Sequence, residues 1–141
     1  MIEDVIITHL NIIPAPGGDV MQGMKQNSDG YKGFGEAYFS QVCKGAVKAW
    51  KRHKRMTLNL MVPSGKVRFV FFDDRDESNI QLQEVVISND NYCRLSVPPM
   101  IWFGFQGLSE DISILLNIAN IEHDPSEVDR KNVEEIEFNW E

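Results

Sequence analysis

The chain has 141 residues, 43% hydrophobic and 25% charged, with a formal net charge of -7. That balance excludes a disordered chain, and no uninterrupted apolar run approaches the roughly 20 residues that a membrane helix needs. So acidic a protein is also a poor partner for a polyanion, which argues against nucleic acid. One self-folding domain over 1–141 is expected, with no membrane partner. The first residues, Met1-Ile2-Glu3-Asp4, carry acids where a secretion signal needs bases, so a cytoplasmic location is expected.

Residues 3–13 are rich in Val and Ile and end at Pro14-Ala15-Pro16-Gly17-Gly18, which reads as a short first strand and its stop. Residues 17–35 hold six of the ten glycines among polar side chains and read as a long loop or arm. A strand over 36–42 leads through Lys44-Gly45 into a second, over 45–56. Pro63-Ser64-Gly65-Lys66 lies between the apolar runs 56–62 and 67–72 and predicts a hairpin. Further strands are predicted over 80–88, 92–97, 102–105 and 112–118, with one or two helical turns between 125 and 133. The acidic segment 122–141, with eight acids against Arg130 and Lys131, reads as a solvated edge, the alternative being a partner for a basic strand of another subunit. Short strands, regular turns and almost no helix give an all-β sandwich or barrel. Cys43 and Cys93 stand alone in apolar runs and read as buried, inert thiols.

The stretch 45–56 is the most informative. Six of the fourteen Lys and Arg residues fall between Lys44 and Arg55 in an otherwise acidic chain, and a bound anion is the simplest reason to concentrate them. Strand alternation places Ala49, Lys51 and His53 on one face and Lys48, Trp50 and Arg52 on the other, unless a bulge intervenes. An ammonium beside an imidazole in a poorly solvated pocket lowers both proton affinities and can leave a neutral base, which makes His53 the candidate base and Lys51 a second base or a cation for developing negative charge. Lys48, Arg52, Lys54, Arg55 and Arg68 are candidates to bind the anion, and Tyr38 and Trp102, with Trp50 and Phe103, to stack on a ligand face.

Several ordered pieces resemble a known family: Gly45-x-Val47-Lys48-Ala49-Trp50-Lys51, Ser64-Gly65-Lys66-Val67, Asp73-Asp74-Arg75, Ser88-x-x-Asn91-x-x-x-Leu95-x-Val97-Pro98 and Gly104-Phe105-x-x-Leu108-Ser109. Their order and spacing over about 35–125 are similar to the dTDP-4-dehydrorhamnose 3,5-epimerases. His53-Lys54 and Val97-Pro98-Pro99-Met100-Ile101-Trp102 also resemble the sugar-nucleotide 3,4-ketoisomerases. The resemblance implies a cupin-type jelly-roll barrel, a homodimer, no cofactor, and isomerisation of a nucleotide-linked 4-keto-6-deoxy sugar for surface polysaccharide, by proton abstraction alpha to the ketone. It leaves two alternatives: a non-catalytic nucleotide-sugar-binding protein on the same scaffold, and the 3,4-ketoisomerase reaction.

The family's polar residues are replaced at several positions. The epimerase pattern Arg-Gly-Leu-His falls on Lys48-Ala49-Trp50-Lys51, which puts Lys51 where that family has its base. Its lysine falls near Leu58, its second histidine on Phe103, and its tyrosine at about Leu115 or Leu116. No metal is expected, because the metal-binding cupins use three histidines and a glutamate, and His53 is the single histidine at such a position.

Overall fold

The structure, a computed structural model, describes residues 1–141. It is nearly all strand: β1 (Ile6–His9), β2 (Ile12–Ile13), β3 (Val20–Met21), β4 (Glu36–Val42), β5 (Val47–His53), β6 (Leu58–Ser64), β7 (Val67–Asp73), β8 (Gln81–Ile87), β9 (Cys93–Val97), β10 (Trp102–Gly107), β11 (Ser113–Ala119) and β12 (Val128–Arg130). Two five-stranded sheets, ordered β1-β9-β6-β11-β4 and β12-β5-β10-β7-β8, face each other as a jelly roll. All their strand pairings are antiparallel. No helix is long and apolar enough to cross a membrane.

Alternation explains the wall strands. On β7, Val67, Phe69 and Phe71 point between the sheets, where they pack with Leu58, Leu60, Leu95 and Phe103 in the main core. On the edge strand β4 the pattern is weaker: Tyr38 is half-buried and Phe39 exposed. A smaller apolar cluster of Trp50, Val70, Trp102 and Ile136 forms on the other face of the second sheet, beneath the C-terminal segment, with Phe138 and Trp140 against it.

Three expectations are corrected. The runs flanking Pro63-Ser64-Gly65-Lys66 form no hairpin, because β6 belongs to the first sheet and β7 to the second. The chain crosses between layers at Gly65, which holds φ 95° beside Ser113; a Cβ there would lie 2.7 Å from the Ser113 Cα. Turn chemistry marks a reversal but not which strands pair across it. Cys93 is buried as expected, whereas Cys43 is exposed just beyond the end of β4.

The third concerns the acidic segment, which lies at the sheet edge but is more than a solvated one. Between two 3₁₀ turns, at Pro125–Glu127 and Val133–Glu135, it forms β12 and pairs with β5 of the same chain, Val128 opposite His53 and Arg130 opposite Lys51. Its strand period is too short to register as a pattern. The glycine-rich arm is also packed: Asn59 donates its side-chain amide to the Gly30 carbonyl, and the buried Arg94 guanidinium donates to the carbonyls of Gly23 and Asp29.

Candidate active site

A cavity of about 610 Å³ opens between the sheets where the barrel is lined by β4, β6 and β11 on one side and β5, β10 and the C-terminal segment on the other. That size suits a small organic ligand. Its inner wall is apolar, made by Leu58, Leu60, Phe103, Phe105 and Leu115. Phe103 stands where the resemblance leads one to expect a polar group, and Leu58 and Leu115 stand at or near two further such positions.

The strand β5 is not regular. Phe103 lies opposite Lys51 and Gly104 opposite Ala49, so Trp50 is an extra residue without a partner on β10. The bulge reverses the alternation on its N-terminal side. Lys48, expected on the face away from Lys51 and His53, therefore lines the cavity with them. Gly104 permits the close approach, since a Cβ there would lie 2.5 Å from the Ala49 Cβ. The Trp50 backbone pairs with Lys131 in both directions, and its indole N–H donates to the Val133 carbonyl at 3.0 Å, which ties the bulge to the C-terminal segment.

His53 is 6% exposed and places Nδ1 2.6 Å from Oε1 of the equally buried Glu127. The other carboxylate oxygen of Glu127 accepts the backbone N–H groups of Arg55 (3.0 Å) and Met56 (3.4 Å). Burial works to raise the Glu127 carboxyl, but the imidazole and the two amides outweigh it and hold it below the usual range. For His53 burial wins over Glu127, and the ring is held below the ordinary imidazole value. A carboxylate can only accept, so the neutral ring carries its proton on Nδ1 and leaves the lone pair on Nε2. Phe103 stacks against this ring, 6.0 Å between centroids.

Across the cavity, Tyr38 on β4 accepts a hydrogen bond from Asn117 Nδ2 at 3.0 Å, while Asn117 Oδ1 accepts the buried Asn59 N–H. The second bond fixes the amide, so Asn117 must donate to the phenol, and the phenol proton is free to be given to a ligand. Burial raises the phenol further above its ordinary value and keeps it protonated. Lys51 lines the cavity opposite Phe103 with solvent still reaching it, and partial burial, with Arg130 and Lys48 nearby, lowers its ammonium.

Of the residues singled out in the sequence, Lys48, Lys51, His53 and Tyr38 thus line one cavity, and Arg52, Lys54, Arg55, Arg68 and Trp102 do not. Arg52 grips Asp129 through two nitrogens (3.0 and 2.7 Å) and lies over the Trp102 ring. Lys54 shares Asp129 at 3.5 Å, Arg55 pairs with Asp124 at 3.0 Å, and Arg68 with Glu84 at 3.0 Å. Trp102 is core. Sequence reasoning missed Glu127, Arg130 and Lys131; all three sit in the acidic segment, and its charge, opposite to that of β5, was the available signal. No three His, Cys, Asp or Glu side chains converge anywhere to hold a metal ion, and the donor pair in the cavity region, His53 and Glu127, is already mutually engaged, so the residues do not fit a cupin metal.

No family model matches the chain. A solved dTDP sugar isomerase of Desulfovibrio desulfuricans superposes with a TM-score of 0.92 at 35% identity, over 98% of this chain and 91% of that one. A probable low-salt glycan biosynthesis epimerase of Haloferax volcanii is 27% identical over 136 residues, 94% of this chain and 87% of the relative. The dTDP-6-deoxy-D-glucose-3,5-epimerase of Legionella pneumophila, solved in complex with dTDP-4-keto-L-rhamnose, shares the fold, with a TM-score of 0.82 at 19% identity over 94% of this chain and 75% of that one. Identity at that first level, across nearly the whole of both chains and on the same two-sheet barrel, means that the chain belongs to the cupin family of dTDP-sugar isomerases and epimerases.

Proposed function

We propose that the protein isomerises a nucleotide-linked 4-keto-6-deoxy sugar for polysaccharide or glycan assembly, by moving a proton on a carbon next to the ketone. The observation that carries this reading is His53 hydrogen-bonded to Glu127 and Tyr38 hydrogen-bonded to Asn117 on opposite walls of one cavity, beside four lining cations that pair with no acid: Lys48, Lys51, Arg130 and Lys131. The one acid among the lining residues, Glu135, is turned to the Asn132 N–H.

In this reading Arg130, Lys131 and Lys48 hold the diphosphate, which neutralises their mutual repulsion. The apolar wall of Leu58, Leu60 and Leu115 accepts the face of the sugar that carries the deoxy carbon. His53 Nε2 removes the α-proton, and Lys51, in the same row of β5, meets the carbonyl. Tyr38 returns a proton from the other sheet. Removal from one wall and return from the other delivers the proton to the opposite face of the carbon, and that is epimerisation. The protein acts in the cytoplasm as a homodimer; Ile13 (44% exposed) and Val20 (55% exposed) on the β2–β3 arm offer apolar surface for a second copy to cover.

The test is incubation with dTDP-4-keto-6-deoxyglucose in heavy water, followed by NMR. Deuterium entering a sugar C–H alpha to the ketone with inversion supports the reading. Migration of the ketone to C3 assigns the ketoisomerase reaction instead. Thermal stabilisation by dTDP with no exchange at any carbon makes the protein a binder.

A further inference from the structure

Lys51 lines the cavity without a hydrogen bond or an acid partner. Its β5 neighbour Arg52 and nearby Lys54 share Asp129, and Lys48 donates to the Gln41 carbonyl at 2.8 Å. Around Lys51 the influences are burial and the two cations Arg130 and Lys48, with no acid among them. Phe103 stands opposite on β10 and His53 two residues along on the same face. Removed from counter-charge and set beside two cations, a primary amine there gives up its proton more readily than an ordinary lysine, and a neutral amine is a nucleophile. A ligand that brings a ketone next to His53 brings it next to this amine.

We propose that Lys51 condenses with the sugar ketone to form an iminium, and that the α-proton is removed from this covalent adduct. This rests on the keto-sugar reading above. The neutral Nζ adds to the carbonyl carbon, a C–N bond forms, and the carbonyl π pair moves to oxygen, which takes a proton. The nitrogen releases a proton to give the carbinolamine. Protonation of its hydroxyl lets water leave, and the nitrogen lone pair forms the C=N bond of the iminium. His53 Nε2 then takes the α-proton; that C–H pair becomes the C=C bond, and the C=N pair returns to nitrogen, giving a neutral enamine. Tyr38 reprotonates carbon, and water adds back to release ketone and free amine. The balance needs one proton and one water, both returned, and no oxidant or reductant. His53 and Tyr38 are the groups placed to move those protons.

The experiment uses the full chain with dTDP-4-keto-6-deoxyglucose and sodium cyanoborohydride, which reduces iminium ions faster than ketones, read by intact mass and peptide mapping. Deuterium exchange is followed in parallel without the reductant. The expected result is one reduced sugar nucleotide per chain, on Lys51, suppressed by excess dTDP. Exchange without an adduct, or an adduct on Lys48 or Lys131 instead, overturns the covalent step and leaves the isomerase reading standing. An adduct on Lys51 without exchange upholds condensation and removes the isomerase reading, and absence of both adduct and exchange overturns both. Lys51→Arg separates charge from nucleophilicity: it keeps the cation but cannot condense. It should bind dTDP within about threefold of the parent and lose exchange at least about a hundredfold; an arginine variant that exchanges at the parent rate shows that Lys51 serves as a charge alone.

Discussion

On the outer side of β5 and the turn after it, Arg52, Lys54 and Arg55 each meet a carboxylate of the C-terminal segment, Asp129 or Asp124. On the inner side Lys48 and Lys51 meet none, and the same segment adds Arg130 and Lys131 to the cavity lining without an acid partner, the Lys131 ammonium reaching back over the Trp102 ring. One strand and one strap therefore divide their charges by face. Ion pairs on the outside fasten the strap to the barrel, and the charge left over on the inside is available to a ligand. A run of cations in a sequence cannot by itself distinguish these two uses; pairing in space does.

The sharpest way to break the comparison is at the buried pair between the two faces. Replacing His53→Asn should lower turnover of a 4-keto sugar nucleotide by about 10²–10⁴-fold, the usual contribution of a positioned general base. Binding of dTDP should be little changed, because the cations stay. Unchanged deuterium exchange in this variant would take His53 out of the mechanism.

The next largest effect is on the fold. Glu127→Ala strands the His53 N–H and the amides of Arg55 and Met56 without their shared acceptor, at a cost of about 3–5 kcal/mol of stability at neutral pH, to be read by denaturant unfolding. The pH dependence has a definite sign. His53 and Glu127 both titrate lower in the folded protein than in the unfolded chain. The unfolded state therefore binds more protons, and the stability they contribute is complete above the ordinary imidazole value of about 6.5. It falls on acidification, first through the folded value of His53 and then through that of Glu127. The conservative Glu127→Gln removes the charge that favours imidazolium, so the acid limb of the pH–rate profile should move further to the acid side. A limb that stays in place shows that Glu127 does not set the protonation of His53.

How much of this was legible in advance varied with the length of the pattern. The seven-residue strands β4, β7 and β11 were legible as apolar and β-forming runs set between turn residues, β8 through its alternation, and the resemblance carried the barrel. What failed was short or spatial. The bulge at Trp50 that turns Lys48 inward depends on how β10 pairs with β5, and no local preference encodes it. Three residues of β12 in an acidic run give no period to read, so Glu127, Arg130 and Lys131 stayed hidden although they complete the site. Pro63-Ser64-Gly65-Lys66 marked a reversal, but only the partition into sheets shows that it joins two layers.

A smaller effect sharpens the comparison on the inner face. Arg130→Met and Lys131→Met should each weaken dTDP binding about tenfold by calorimetry, the scale of one charge-assisted contact to phosphate. Lys131 also lies over the Trp102 ring at 4.9 Å, so part of its loss is packing, and Arg130 is the cleaner probe.

The smallest effect belongs to the outer face. Arg52→Met leaves the cavity lining intact and removes a partly exposed pair with Asp129, for which about 0–1 kcal/mol is typical, with somewhat more here because two nitrogens bond one carboxylate. Binding of dTDP should stay within about twofold of the parent. If Arg52→Met weakened nucleotide binding as much as Arg130→Met does, the division of charge by face would be wrong, because a cation already neutralised by Asp129 would be acting on the ligand. If instead it loosened the strap, the loss would appear equally with dTDP and in its absence, as greater proteolysis after residue 122, and the proposed use of the inner cations would stand.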